Sequence, residues 1–262
     1  MKPSRALVLA PQILLGVALL VAWHFAANIR VGSATLKFFL SAPLDVFWRV
    51  VKLFSEGEIW GHMWITFQET VYAFVLGSVA GVLCGFALAR NPLAAAVADP
   101  YLKAANALPR VVLAPIFMLW LGLGVWSKVA LGFSLVFFIV FFNVFQGVRD
   151  VPATILANAR MLGFNERQLF RHVYWPAALT WMFSSLHTSV GFALVGAVVG
   201  EYLGSAAGLG YLIHQAEGVL DTTGVFAGMA ILTAFVLIID ALVTVIERRL
   251  LVWQPQGAQT TT

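Results

Sequence analysis

The sequence predicts an all-α integral membrane protein with six transmembrane helices, and two observations carry that expectation. Of 262 residues, 61% are hydrophobic and 11% charged, where a soluble domain carries about 45–50% and about 25%. With a mean hydropathy of +0.89, the chain has too little charge to clothe a water-facing surface, which sets aside a soluble enzyme. Disordered, coiled-coil and collagen-like chains fail on the same composition. The apolar residues also fall into six segments close to the roughly 20 residues that cross a bilayer. None shows the alternation of roughly ten-residue strands expected of a membrane barrel.

The first apolar run follows Met1-Lys2-Pro3-Ser4-Arg5 and continues to Ala27. Trp23, His24 and Phe25 stand where a cleavable signal would need small residues, so the run reads as an uncleaved span. After Pro43, apolar Val46, Phe47, Val50, Val51 and Phe54 interleave with Asp45, Arg49, Lys52 and Ser55. That spacing gives one greasy and one polar helical face, as in a helix lying at a membrane surface. The second span covers 66–89 and is ended by Arg90, Asn91 and Pro92. The third covers 102–122 and the fourth 126–148, with Leu123-Gly124-Val125 between them. The fifth covers 177–200, and the sixth, 225–246, is closed by Glu247, Arg248 and Arg249. Three units result: 1–60, with the first span and the surface helix; 61–249, the core; and 250–262, a short frayed tail.

Cations orient the spans, because Lys and Arg accumulate in cytoplasmic loops. With the N-terminus inside, the inner loops hold Lys2, Arg5, Arg90, Lys103, Arg149, Arg160, Arg167, Arg171, Arg248 and Arg249. The outer side holds Arg30, Lys37, Arg49, Lys52 and Lys128, and Arg110 falls near a helix end. Both termini are therefore expected in the cytoplasm. Scattered cations of this kind mark loops and give no nucleic-acid-binding face. The single cysteine, Cys84, allows no intrachain disulfide.

The longest polar interruption, 149–176, parses as two short helices. Asp150 and Pro152 start the first, with Ile155, Ala159 and Leu162 on one face, and Gly163 supplies a left-handed cap. Asn165 and Gln168 have capping-box spacing for the second, which carries Leu169, Phe170 and Val173; Pro176 opens the fifth span. Such a unit reads either as a connector on lipid headgroups or as a knob that docks into a partner.

The run Ala157-Asn158-Ala159-Arg160-Met161-Leu162-Gly163, followed by Gln168-Leu169-Phe170-Arg171-His172-Val173-Tyr174-Trp175-Pro176-Ala177, resembles the "EAA" loop of membrane subunits of binding-protein-dependent ATP-binding-cassette importers. Further pieces resemble the nitrate/sulfonate/taurine-type permeases: Asp99-Pro100, Leu108-Pro109-Arg110-Val111-Val112-Leu113-Ala114-Pro115-Ile116, Trp120-Leu121-Gly122-Leu123-Gly124, Gly200-Glu201-Tyr202-Leu203-Gly204 and Gly208-Leu209-Gly210-Tyr211-Leu212-Ile213. The resemblance spans about residues 61–248. It implies a type I importer permease fold with a methionine-permease-like core, in the bacterial inner membrane. It also implies a homodimeric pathway, two copies of a separate ATPase subunit that binds ATP and Mg, and an extracytoplasmic solute-binding protein. On that reading Ala157, Asn158, Ala159, Arg160, Gly163, Arg167, Arg171 and Pro176 belong to the coupling loop. Ala157 stands where many members carry glutamate, and Asn158 where alanine is frequent, so a salt-bridge anchor at that position is not expected. The solute implied is a small anion such as a sulfonate, taurine or nitrate, with a pyrimidine vitamin precursor as the alternative.

The chain carries no G-x-x-x-x-G-K-[ST] loop for ATP. Its histidines, His24, His62, His172, His187 and His214, lack metal-ligand spacing. Ser184 and Ser185 beside His187 have no hydrolase signature around them. An energised pump built from this chain borrows its nucleotide site. The rival classes are a gradient-driven secondary transporter, which needs paired broken helices and charge relays, a membrane-embedded enzyme, and a channel.

Within the bilayer, Gly77, Gly81 and Gly85 are spaced four apart, as are Gly196, Gly200 and Gly204. Such stripes let helix backbones approach; the first is expected to pack inside the subunit and the second near the pathway. Glu69, Asn143, Gln146, His187, Glu201 and Asp240 are the polar candidates. Arg110, Asn143, His187 and Glu201 are the pathway candidates; Arg110, a cation flanked by Pro109 and Pro115, reads either as attracting an anionic solute or as a side chain snorkelling from the cytoplasmic end of a helix.

Overall fold

The computed structural model describes residues 5–31 and 34–250; the side chains of 5–8, 31, 34, 35, 180, 183, 184, 187 and 246–250 lie outside that description, as does the tail 251–262. In chain order the helices are α1 (Arg5–Ala27), α2 (Lys37–Leu40), α3 (Pro43–Glu56), α4 (Glu58–Ala89), α5 (Pro92–Ala107), α6 (Ala114–Leu121), α7 (Val125–Arg149), α8 (Ala153–Met161), α9 (Glu166–Leu169), α10 (Trp175–Leu203), α11 (Leu209–Gly218) and α12 (Thr222–Leu250). A 3-10 turn, Arg110–Leu113, precedes α6, and a π turn, Phe170–Tyr174, joins α9 to α10. Residues Arg30–Val31 and Ala34–Thr35 form a minimal antiparallel hairpin.

Helices α4, α7 and α10 form the centre. Gly77, Gly81 and Gly85 lie along α7: added Cβ atoms would meet Val136 Cβ at 2.8 Å, Phe137 O at 2.9 Å and Phe141 O at 3.0 Å respectively. The rising register, 77 with 136, 81 with 140 and 85 with 144, makes α4 and α7 parallel. Helix α10 runs antiparallel, since Gly196 meets Gly132 near one end while Gly147 meets Trp181 near the other. Lipid tails are as apolar as Leu, so nothing expels these helices from lipid; backbone approach and dispersion between Val136, Val140, Val144 and Ala193 hold them. Gly196 and Gly200 face Gly132 and Lys128 of α7 inside the subunit, and a lining role beside an open pathway does not fit that packing.

The third apolar segment is not one straight span. Helix α5 and the stretch Arg110–Leu121 are bent by 84° at Leu108 and Pro109, both in extended backbone. Among the described residues four helices are long and apolar enough to cross a membrane, or five if the bent pair counts as one; the described apolar part of α10, Thr188–Leu203, is shorter. Large side chains such as Leu14, Leu19, Leu237 and Leu242 are exposed on α1 and α12. On a soluble protein such faces would be aggregation-prone; here they suit lipid.

At the end where α4 begins, α3 packs through Val46, Val50 and Leu53, beside Ile59, Leu194, Leu209, Ile231 and Phe235. Its other face exposes Phe47, Trp48 and Phe54, the amphipathic pattern of a helix at a membrane surface. The Arg49 guanidinium pairs with Asp221 at 2.9 Å, and Ser41 Oγ lies 2.8 Å from Thr223 Oγ1. These contacts tie α3 to the start of α12.

Candidate functional site

The segment between α7 and α10 is a rigid protrusion built by local signals. Gly163 adopts φ +79°, the left-handed conformation that favours glycine. It closes a Schellman motif: Gly163 N–H donates to Arg160 O at 3.0 Å and Phe164 N–H to Ala159 O at 3.1 Å. The capping box forms completely, with Gln168 N–H donating to Asn165 Oδ1 and Asn165 N–H to Gln168 Oε1, both at 2.9 Å. Buried Leu169 seats the unit, while Phe170 packs on Phe86 and Trp175. Arg90 reaches Glu166 at 3.0 Å and covers the Phe170 ring. Pro176 follows the π turn Phe170–Tyr174 directly, in backbone that is helical on both sides, where it contributes no N–H to the ladder.

Ala159 is the buried face of α8. Leu162, expected on that face, is 77% exposed, and Met161 is 85% exposed; the left-handed turn at Gly163 carries them to the tip. Ala157, Asn158, Arg160, Arg167 and Arg171 are exposed around them. The tip thus offers an apolar knob ringed by guanidinium groups.

A second constellation lies at the opposite end of the bundle. Lys128 and Glu201 are both 0% exposed, and Glu69 is 1% exposed. Thr66 Oγ1 donates to Glu201 Oε1 at 2.5 Å and accepts the Leu209 N–H at 2.9 Å; Gly210 N–H donates to Glu201 Oε2 at 2.7 Å. Gly208 N–H donates to His62 Nδ1 at 3.0 Å. A Cβ on Gly208 would stand 2.1 Å from the Glu201 carboxyl carbon, so the chain at φ +114° needs glycine on two counts. Glu69 meets Glu201 carboxyl to carboxyl, and both interact with the Lys128 charge. The Lys128 ammonium donates to Leu123 O and to Gly124 O, the latter at 3.1 Å. Glu201 is therefore buried inside this subunit, and Lys128 is a buried cation, not an outer-loop one.

The other pathway candidates separate. Asn143 donates to its own helix at Ile139 O, 2.8 Å away. His187 lies outside the described side chains. Arg110 sits at the bend of the broken span with its guanidinium 4.6 Å from the centre of the Phe138 ring. Its Nη2 donates to Asn106 Oδ1, and its Nε is buried without a partner among the described residues.

Comparison with known proteins decides the family. Residues 77–252 match the model of the binding-protein-dependent transport system inner membrane component. The chain belongs to that family. It is 32% identical over 242 residues, 92% of this chain and 87% of the other, to the putative aliphatic sulfonates transport permease protein of Bacillus subtilis (strain 168). It is 31% identical to the formylaminopyrimidine transport permease protein of Halalkalibacterium halodurans, over 90% of this chain and 92% of that one. To the taurine transport system permease protein of Escherichia coli (strain K12) it is 24% identical, covering 90% and 86%. An inward-facing structure of the MetNI methionine ABC transporter aligns with a TM-score of 0.57 at 18% identity, covering 73% of this chain and 93% of that chain, which establishes the type I importer permease fold.

This permease is the membrane-spanning subunit of an ABC importer. The local turn chemistry of its protrusion is written in adjacent residues. Its buried ionic node joins Glu69, Lys128 and Glu201 from three helices; the sequence marks Glu69, Glu201 and the G-x-G at 208–210 singly and does not bring them together.

Proposed function

We propose that two copies of this permease form the pathway of an ATP-driven importer in the bacterial cytoplasmic membrane, with both termini inside. Each copy presents α8–α9 to a separate ATP-binding subunit, which holds the nucleotide and Mg and does the hydrolysis. An extracytoplasmic solute-binding protein delivers solute to the opposite face, which includes α11. Residues 61–249 act as the permease core in this scheme, and α1 with α3 as an added membrane anchor.

The observation that carries this reading is the tip at Met161 and Leu162, apolar and exposed on a unit with no loose joint. An exposed apolar tip in water is unfavourable unless a partner covers it. A tip fixed by a Schellman motif, a capping box and the Phe86–Phe170–Trp175 cluster passes a push directly into α10. Arginines at 160, 167 and 171 suit an acidic rim on the partner, and the absence of a carboxylate at Ala157 leaves shape and these cations as the recognition.

The solute is read as a small organic anion of the sulfonate class, supported by the Bacillus relative and by Arg110, which joins no ion pair among the described residues. The formylaminopyrimidine permease supports the alternative of a pyrimidine precursor. Gly163→Val tests the coupling. A β-branched residue at φ +79° is strained by roughly 1–2 kcal/mol, so the tip shifts. In proteoliposomes carrying the whole transporter, ATPase activity should persist while solute uptake falls; unchanged uptake would remove the coupling role.

A further inference from the structure

We propose that Arg110 is an anion-binding residue at mid-depth of the membrane, contacting a small sulfonate or carboxylate as it passes along the broken span. The proposal deepens the anionic-solute reading and rests on it.

Depth comes first. Phe138, on which the guanidinium stacks, lies 13 residues from Val125 and 11 from Arg149, the two ends of α7. At 1.5 Å per residue these are about 20 Å and about 17 Å, so the cation is held near the middle of the span and not at a headgroup layer. A charge at that depth is costly unless it is paired or faces a cavity.

No such pair is present among the described residues: Arg110 joins none of their ion pairs. The only hydrogen bonds shown for its guanidinium are from Nη2 to the Asn106 side chain and backbone oxygen. A guanidinium has five N–H donors in a planar fork, so most of its capacity is uncommitted. Asn106 and the Phe138 face together hold the plane, leaving the fork oriented but without an acid to bind. A planar fork of donors suits two oxygens of a carboxylate or sulfonate at once.

The backbone agrees. The 84° bend at Leu108 and Pro109 interrupts the helix at the level where the guanidinium sits. Discontinuous membrane helices are tolerated where they line a cavity, and midplane solute sites in transporters are built at such breaks. An arginine placed there for structure alone would be expected to carry a carboxylate neighbour.

The test uses the assembled transporter, with ATPase and binding protein, in proteoliposomes, and ethanesulfonate and a neutral pyrimidine as probes. The wild type should import ethanesulfonate. Arg110→Gln should cut that uptake at least about tenfold, the loss expected when one partner of a desolvated charge pair is removed, with the complex still assembled. Arg110→Lys, which keeps the charge and loses the planar fork, should fall between Arg110→Gln and wild type. Uptake by R110Q equal to wild type overturns the site and leaves the anionic-solute reading standing. Import of the pyrimidine but not of ethanesulfonate by the wild type overturns that reading, and the site with it. If R110Q fails to assemble, R110H decides. Imidazole charges near pH 6.5, so its ethanesulfonate uptake relative to wild type should rise several-fold between about pH 8 and about pH 5.5; a flat ratio overturns the proposal.

Discussion

At the scale of single residues, the node around Glu201 shows how an ion is kept inside this bundle. Its two carboxylate oxygens are taken by Thr66 and by the Gly210 N–H, while Lys128 supplies the opposite charge. Removing the carboxylate leaves a buried N–H, a hydroxyl and part of the Lys128 charge unanswered. Charged hydrogen bonds of this kind are worth about 1.5–3 kcal/mol each. Glu201→Ala should therefore lower the thermal midpoint of the purified complex by several degrees, and Glu201→Gln, which keeps an acceptor for Thr66, by less. Gly208→Ala should match or exceed the alanine variant, because its Cβ would displace the Glu201 carboxyl and its φ of +114° disfavours any L side chain. Wild-type stability in all three variants would show that the node carries no load.

At the scale of elements, parallel helices α4 and α7 are held by a face with no room on it. A Cβ at Gly81 would lie 2.9 Å from both Phe137 O and Val140 Cβ. Neither can retreat without moving α7, so Gly81→Leu should part the helices and cost about 1–3 kcal/mol, whereas Gly61→Ala, with open space around it, should be neutral. Melting curves of the two variants in detergent check the contrast. The stripe was legible because its period is local and helical, as were Gly163, the Asn165–Gln168 box and Pro176. The break in the third span was not: hydropathy averages across Pro109 and Pro115 without registering a turn in direction. Nor was the node, whose contacts bridge 135 and 143 residues of chain. Lys128 reads as a loop cation from its neighbours and becomes a core residue only because Gly200 leaves room for its stem, which a Cβ there would meet at 2.8 Å.

For the whole molecule, the decisive geometry is the separation of the two polar ends. Helix α10 carries Trp175 beside the docking unit and Glu201 inside the node. The 26 residues between them span about 39 Å as α-helix, more than the roughly 30 Å of a bilayer's hydrocarbon core. The protrusion and α11 must therefore face opposite sides of the membrane, whichever way the chain is inserted. Counted on the sequence, ten cations belong to the inner loops and, with Lys128 withdrawn into the core, four to the outer ones, which favours a protrusion that faces the cytoplasm. Single cysteines measure this directly. In a Cys84→Ser background, Glu217→Cys should react with a membrane-impermeant maleimide in intact cells, and Met161→Cys only after permeabilisation. Both positions are exposed on this subunit, and reaction of Met161→Cys once the membrane is opened shows that its silence before then reports sidedness and not burial. The reverse pattern would place the tip outside, where no ATP-binding subunit could reach it, and the coupling reading would fall with the orientation.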